Sequence, residues 1–265
     1  MFNKILQFYR FLFARKIFYK FNKALYYMSL RGLGILNYES HNVSGEALFL
    51  KENVLGLEKS DKRIVVFDVG ANIGNYSKEV LSILSNSNVF AFEPHPLNYE
   101  KLLRNINADN FYCFNVGVGD SNGEMNLYDY ADNDGSSHAS LYKAVIEDIH
   151  HGRVIKHQVK IITLSDFVKE HNIDYIDLLK IDTEGNEMKV LLGLKDMIAE
   201  DKVGAIHFEF NEMNVISRVF FKDYFDFLSN YHFYRLLPNG MLPIKVYNPI
   251  DCEIFAYQNI IAIKK

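Results

Sequence analysis

The chain has 265 residues, 49% of them hydrophobic, so it can bury one large core without dividing into two domains. Its net charge of −4 hides a lopsided distribution: Lys4, Arg10, Arg15, Lys16, Lys20, Lys23 and Arg31 all precede the first acidic residue, Glu39, so the first 38 residues carry +7 and the rest −11. That acidic remainder disfavours a nucleic-acid partner, and the two cysteines, Cys113 and Cys252, lack metal-ligand spacing and are expected to be reduced, packed thiols of a cytoplasmic protein.

Residues 1 to about 30 are rich in Phe, Tyr, Leu and Ile, with a base every few positions. No apolar run approaches the roughly 20 residues that span a bilayer, and the broken apolar stretches argue against a cleavable leader. Two readings remain: a helix lying on an anionic membrane surface or membrane-bound partner, or one that packs its aromatic residues on the main domain or a second subunit. The scatter of bases around the helix favours the packed form. Arg31-Gly32-Leu33-Gly34 then breaks the pattern, and Val43-Ser44-Gly45-Glu46 leads into the core as a connector, with Glu46 either covering the ligand pocket or, the preferred reading, a solvated cap.

Ile64-Val65-Val66-Phe67-Asp68-Val69-Gly70-Ala71-Asn72-Ile73-Gly74 is an apolar run ending in a carboxylate and a glycine turn, which predicts buried strand, turn and helix start. The spacing is Asp-x-Gly-x-x-x-Gly and not the Gly-x-Gly-x-x-Gly of a dinucleotide fold. A carboxylate beside the first glycine suits a ligand carrying positive charge. A second strand, Asn88 to Phe92, ends at Glu93, where such folds hold an acid for a ribose diol. Pro96 starts the next helix, Phe111 to Val118 is a third strand, and a turn at 119–123 leads to Met125-Asn126-Leu127-Tyr128. Strands alternating with helices predict a parallel sheet.

From Asp129 to His157 acidic, Gly, Ser and His residues cluster, as in an insertion or lid, with Ser136, Ser137 and His138 as candidates to face an acceptor. Strand character resumes at Val159 to Leu164. Ile176 to Ile181 then delivers Asp182 at a strand's carboxyl end, where open sheets place their ligands, with Glu184 and Glu187 near the next helix start. In the fifth strand, Val203 to Asn211, alternation puts His207 and Glu209 on one side, so that Glu209 and Asp182 flank one cleft. A helix over 215–228 and closing strands at 234–237, 253–257 and 259–263 complete the chain, the last expected as an antiparallel edge.

Asp68-Val69-Gly70-Ala71-Asn72-Ile73-Gly74, Phe92-Glu93-Pro94-His95-Pro96 and, most distinctively, Leu179-Lys180-Ile181-Asp182-Thr183-Glu184-Gly185-Asn186-Glu187 resemble the FkbM family of S-adenosylmethionine-dependent methyltransferases. The resemblance implies a class I methyltransferase α/β sheet of seven mostly parallel strands, the last antiparallel, with helices on both faces. A helical extension over 1–44 would precede the catalytic domain at 45–265. Carried across residue by residue, Asp68, Gly70, Asn72 and Gly74 would hold the methionine end of the cofactor and Glu93 its ribose. Asn115, Val116 and Asp120 would lie near the adenine.

The implied activity is O-methylation of a sugar, glycan or other natural product. A sugar hydroxyl needs its proton removed, and Asp182 is the first choice of base, with Glu209 and His138 next. Ser136, Ser137, Glu184, His207 and Asn211 would surround the acceptor. In a variant, Asp182, Glu209 and Asn211 bind Mg²⁺, which the spacing permits without requiring. Rival readings are an NAD- or nucleotide-sugar-dependent Rossmann enzyme, disfavoured by the absent Gly-x-Gly-x-x-Gly, and a non-catalytic scaffold that kept the cofactor fold.

Overall fold

The structure, a computed structural model, describes residues 2–54, 63–136, 138–149 and 151–265. Its centre is a sheet of strands β1 (Ile64–Val69), β2 (Ser87–Phe92), β3 (Phe111–Phe114), β7 (Ile176–Ile181), β8 (Val203–Phe210), β9 (Tyr231–Leu237), β10 (Gly240–Ile244) and β11 (Gln258–Lys264), in the order β10-β9-β11-β8-β7-β1-β2-β3. The strands from β3 to β8 along this order pair in parallel, β11 runs antiparallel between β8 and β9, and β10 is antiparallel to β9.

Two differences from the sequence expectation follow from this order. The sheet has eight strands, because β10 folds back on β9 and adds an edge; Pro243 is tolerated there, since an edge strand does not need every N–H. The last strand is interior and not an edge, which suits its apolar Ile260-Ile261-Ala262 core. Residues 253–257 form no strand: they are irregular chain after helix α12 (Pro249–Cys252).

Alternation along the strands sorts side chains into two cores. Phe67, Val69, Leu179 and Ile181 pack on one face with Phe167, Val190, Leu191, Met197 and Phe221, which come from α7 (Leu164–Glu170), α8 (Glu187–Leu192), α9 (Lys195–Ala199) and α11 (Phe221–Phe227). Ile64, Val66, Val89 and Leu178 point the other way, onto Phe49 of α4 (Glu46–Phe49) and Tyr76 and Val80 of α5 (Asn75–Ile83). Helix α6 (Pro96–Asn105) adds Leu102 near Ala91. The two faces thus make a three-layer α/β fold.

The third expected strand divides. Phe111–Phe114 stays in the main sheet, while β4 (Gly117–Val118) joins a second sheet with β5 (Gly123–Tyr130) and β6 (Val154–Ile162), in the order β4-β6-β5. The expected insertion at 129–157 therefore begins inside β5 and ends inside β6, and its irregular part is narrower. The helix expected over 215–228 also divides, into α10 (Met213–Ser217) and α11, because Arg218 adopts φ +58°. Helices α1 (Phe2–Phe13) and α2 (Tyr19–Gly32) form a hairpin whose side chains stay largely exposed, apart from Leu30, and one turn of helix, α3 (His41–Ser44), follows in the connector.

Candidate active site

The carboxyl ends of β1, β2, β7 and β8 open into one cavity of about 760 Å³. Asp68 and Gly70 reach it from β1, Glu93 from β2, Lys180, Asp182 and Glu184 from β7, and Glu209 and Asn211 from β8. Such convergence follows from parallel strands ending side by side. Gly70 fixes the crossing. It has φ +84°, and a Cβ there would lie 1.7 Å from the Asp182 carbonyl oxygen, so the β1 and β7 ends touch through backbone alone.

Burial sets the charges. It pushes Asp68 up to about 6, although Ser77 Oγ donates to its carboxylate at 2.6 Å and Lys180 also holds it down. Burial likewise lifts Glu93 to about 7, against the Asn72 and His95 N–H groups that donate to its two oxygens at 2.8 Å each. Glu184 rises to about 7 and Glu209 well above its usual range, both through burial reinforced by the neighbouring Asp182. The Glu209 carboxylate accepts from the Asn211 amide at 3.3 Å.

Lys180 is the cation at the centre. Its ammonium is buried without a hydrogen bond, 3.4 Å from Asp182 Oδ2 and 5.8 Å from the centre of the Tyr76 ring. Burial alone would lower its pKa, but Asp182, Glu209, Glu46 and Asp68 together raise it and keep it charged.

A loop over residues 131–142 closes one side. Buried Asp129 accepts from the Gly135 N–H at 2.7 Å and the Ser136 N–H at 2.9 Å, while Asp134 Oδ1 meets His95 Nε2 at 2.9 Å and His157 Nε2 at 2.7 Å. His95 Nδ1 accepts the Leu97 N–H, so its proton sits on Nε2 and is donated to Asp134. These three side chains, close enough to hold a metal ion, are thereby satisfied as a hydrogen-bonded pin. The pinned loop brings His138 Nδ1 to 3.2 Å from Glu184 Oε1, and that contact raises the His138 pKa. Glu184 Oε2 is buried with no hydrogen-bond partner among the described residues.

Of the residues singled out from sequence, Asp68, Gly70, Asn72, Glu93, Val116, Ser136, His138, Asp182, Glu184, Glu209 and Asn211 line the cavity. Gly74, Asn115, Asp120 and His207 do not. A Cβ at Gly74 would meet Leu102 and Ile106, so this glycine packs α5 against α6. Asn115 ties β3 to the β2 end by donating to the Glu93 and Pro94 carbonyls, and Asp120 is exposed. His207 is buried between Tyr76 and Asn259, and burial with nearby Lys180 pushes its pKa well down, leaving it neutral. Ser137 lies outside the described residues. Glu187, set aside as a helix-start acid, accepts from the Thr183 and Gly185 N–H groups and closes the β7–α8 turn.

Sequence reasoning passed over Lys180, Tyr38, Asn186 and Tyr257, all of which line the cavity. Lys180 carried a signal, a lone cation within an apolar strand next to Asp182. Glu46 is corrected: it is buried in the cavity wall, accepting from Ser44 Oγ at 3.0 Å, and is not a solvated cap. The connector over 38–46 folds inward and supplies that wall.

Residues 68–235, more than half of the chain, match the family model described as Methyltransferase FkbM domain. Methyltransferase sdnD of Sordaria araneosa is 28% identical over 156 residues, 49% of this chain and 60% of that protein. 2-O-methyltransferase NoeI of Sinorhizobium fredii (strain NBRC 101917 / NGR234) is 24% identical over 201 residues, 70% of this chain and 78% of that protein. Hexuronic acid methyltransferase AglP of Haloferax volcanii is 24% identical over 144 residues, 54% of each chain. The chain spans about 60% of the length of the first of these relatives. With the parallel sheet, the interior antiparallel last strand and the strand-end cavity, this match makes the chain a member of the FkbM methyltransferase family.

Proposed function

We propose that the chain is an O-methyltransferase acting on a hydroxyl of an uncharged sugar or related natural product, with Glu184 as the group that takes the hydroxyl proton. The observation that carries this reading is the Glu184–His138 pair at the cavity wall, a largely enclosed carboxyl lifted to about 7 with one oxygen unpartnered among the described residues. A base poised near neutrality both exists as carboxylate and accepts a proton. Asp182, the first choice from sequence, is partly exposed and paired with Lys180, which suits holding Lys180 in place. His138, half-exposed, connects Glu184 to solvent and would pass the proton on.

The cavity's donors fit S-adenosylmethionine. Asp68 and Glu93 offer carboxylates for its positive methionine end and its ribose, the Val116–Val118 wall is apolar as a flat base requires, and Asn186 Oδ1 is buried without a partner. The bound cofactor supplies a methyl group on a sulfonium, ready for in-line displacement. The chain's own groups align the acceptor, keep water out through the pinned loop and remove the proton.

The names of NoeI and AglP support oxygen methylation and a sugar acceptor. Acceptor charge comes from this cavity itself: Glu46, Asp182 and Glu212 outweigh Lys180 before Glu184 and Glu209, whose pKa values burial raises, add any charge, so an acidic acceptor would be repelled. Calorimetric titration with S-adenosylmethionine and with NAD, then transfer of labelled methyl groups to neutral and uronic sugars, tests the proposal. Binding of S-adenosylmethionine and labelling of neutral sugars is expected; labelling of uronic sugars alone overturns the acceptor assignment.

A further inference from the structure

We propose that the α1–α2 hairpin is a surface anchor that seats the protein on an anionic lipid bilayer. Its apolar residues have nowhere to go on the folded chain. Phe8, Phe11, Ile17 and Met28 are 65%, 68%, 84% and 60% exposed, and Ile5 and Phe21 about half exposed at 55% and 46%. The packed form expected from sequence accounts for little of this. Tyr9 and Phe13 turn inward, Tyr9 onto Asn22 and Phe13 onto Phe18 and Phe21, while Phe8 and Phe11, one turn apart on the other side of α1, stay exposed.

An exposed patch of this size marks an interaction surface, and charge selects the occupant. The first 38 residues carry seven cations and no anion, while the rest of the chain carries −11. Arg31 is paired with Glu39, which leaves six cations on the hairpin, and a second copy docking there would set like charge against like. An anionic headgroup layer meets both needs at once: it neutralises the bases, each contributing about 1 kcal/mol near the surface, and it receives the aromatic and aliphatic side chains at the acyl boundary. Among the described residues no helix is long and apolar enough to cross a membrane, and a 12-residue α1 measures only about 18 Å, so the hairpin lies in the plane of the surface.

The acidic body is repelled by that surface, which fixes the orientation with the hairpin down. From Leu33 to Tyr38, where the cavity wall begins, the chain can extend at most about 18 Å, so anchoring holds the cavity close to the bilayer.

Co-sedimentation of the full chain with phosphatidylcholine vesicles and with phosphatidylcholine–phosphatidylglycerol vesicles tests this proposal, which does not rest on the identity of the acceptor. Expected is binding at least about tenfold tighter to the anionic vesicles, weakened by salt and lost both in Lys16→Glu/Lys20→Glu/Lys23→Glu and in Phe8→Ser/Phe11→Ser. Circular dichroism melting of both variants checks that they fold. Absence of binding, or equal binding to the two lipid mixtures, overturns the proposal. So does a dimer seen by light scattering that Phe8→Ser/Phe11→Ser dissociates while vesicles stay unbound, which would assign the face to a second copy.

Discussion

His138 Nδ1 stands 3.2 Å from Glu184 Oε1, joining the loop over 131–142 to the end of β7 across the cavity. If Glu184 takes the acceptor proton, Glu184→Gln lowers kcat by about 10²–10⁴-fold and leaves the affinity for S-adenosylhomocysteine unchanged. The rate of the unaltered enzyme should rise with pH through about 7, where Glu184 loses its proton. Full turnover in the Glu184→Gln variant would return the role to Asp182 or Glu209.

Lys180 holds the carboxylates together, and Lys180→Met leaves Asp68, Asp182 and Glu209 facing one another without their cation. Stability should fall by about 2–3 kcal/mol in urea unfolding, less than for a fully buried pair because Asp182 stays partly hydrated.

The same ammonium bears on the magnesium variant of the mechanism. It sits 3.4 Å from Asp182 and is the positive charge the Asp182–Glu209 pair already has, so a dication there would be repelled. Turnover is therefore expected to survive EDTA; loss with EDTA and recovery with Mg²⁺ would refute this.

Gly70→Ala should destabilise the fold and not merely empty the site, since the added methyl strikes the Asp182 carbonyl and φ +84° disfavours any L side chain. A loss of about 2 kcal/mol or more is expected in denaturant titrations, with weaker cofactor binding as its consequence.

Four cavity carboxyls have pKa values above those of an unfolded chain, Asp68 at about 6, Glu93 and Glu184 at about 7, and Glu209 well above its usual range. Between about pH 4.5 and 7 the folded form thus holds protons that the unfolded form has released, so these groups lower stability as pH rises. The melting temperature should drop from pH 5 to pH 8, and Glu209→Gln should flatten the drop.

Asp68, Glu93 and Asp182 were legible because apolar runs of buried strands end at them, and strand ends are where parallel sheets meet ligands. Asn115 and Asp120, expected near the adenine, stand outside the cavity lining because the chain leaves the main sheet at Asn115 for a second one, a break that no run of Phe-Tyr-Cys-Phe-Asn-Val-Gly-Val announces. Glu46 was missed for a related reason. Its burial depends on Gly34 and Gly45 pressing on the Leu236 and Leu237 carbonyls, a contact nearly 200 residues away in sequence. His207 looked like a cleft residue by alternation, yet the face it shares with Glu209 is covered by Tyr76 and Phe49.

Strand β11 is made after both of its neighbours and slots between them. Until Gln258–Lys264 has been made, a growing polypeptide on the ribosome lacks the strand that joins β8 to β9 through hydrogen bonds. Nascent chains halted before that point should recruit chaperones, and release them once β11 has been translated.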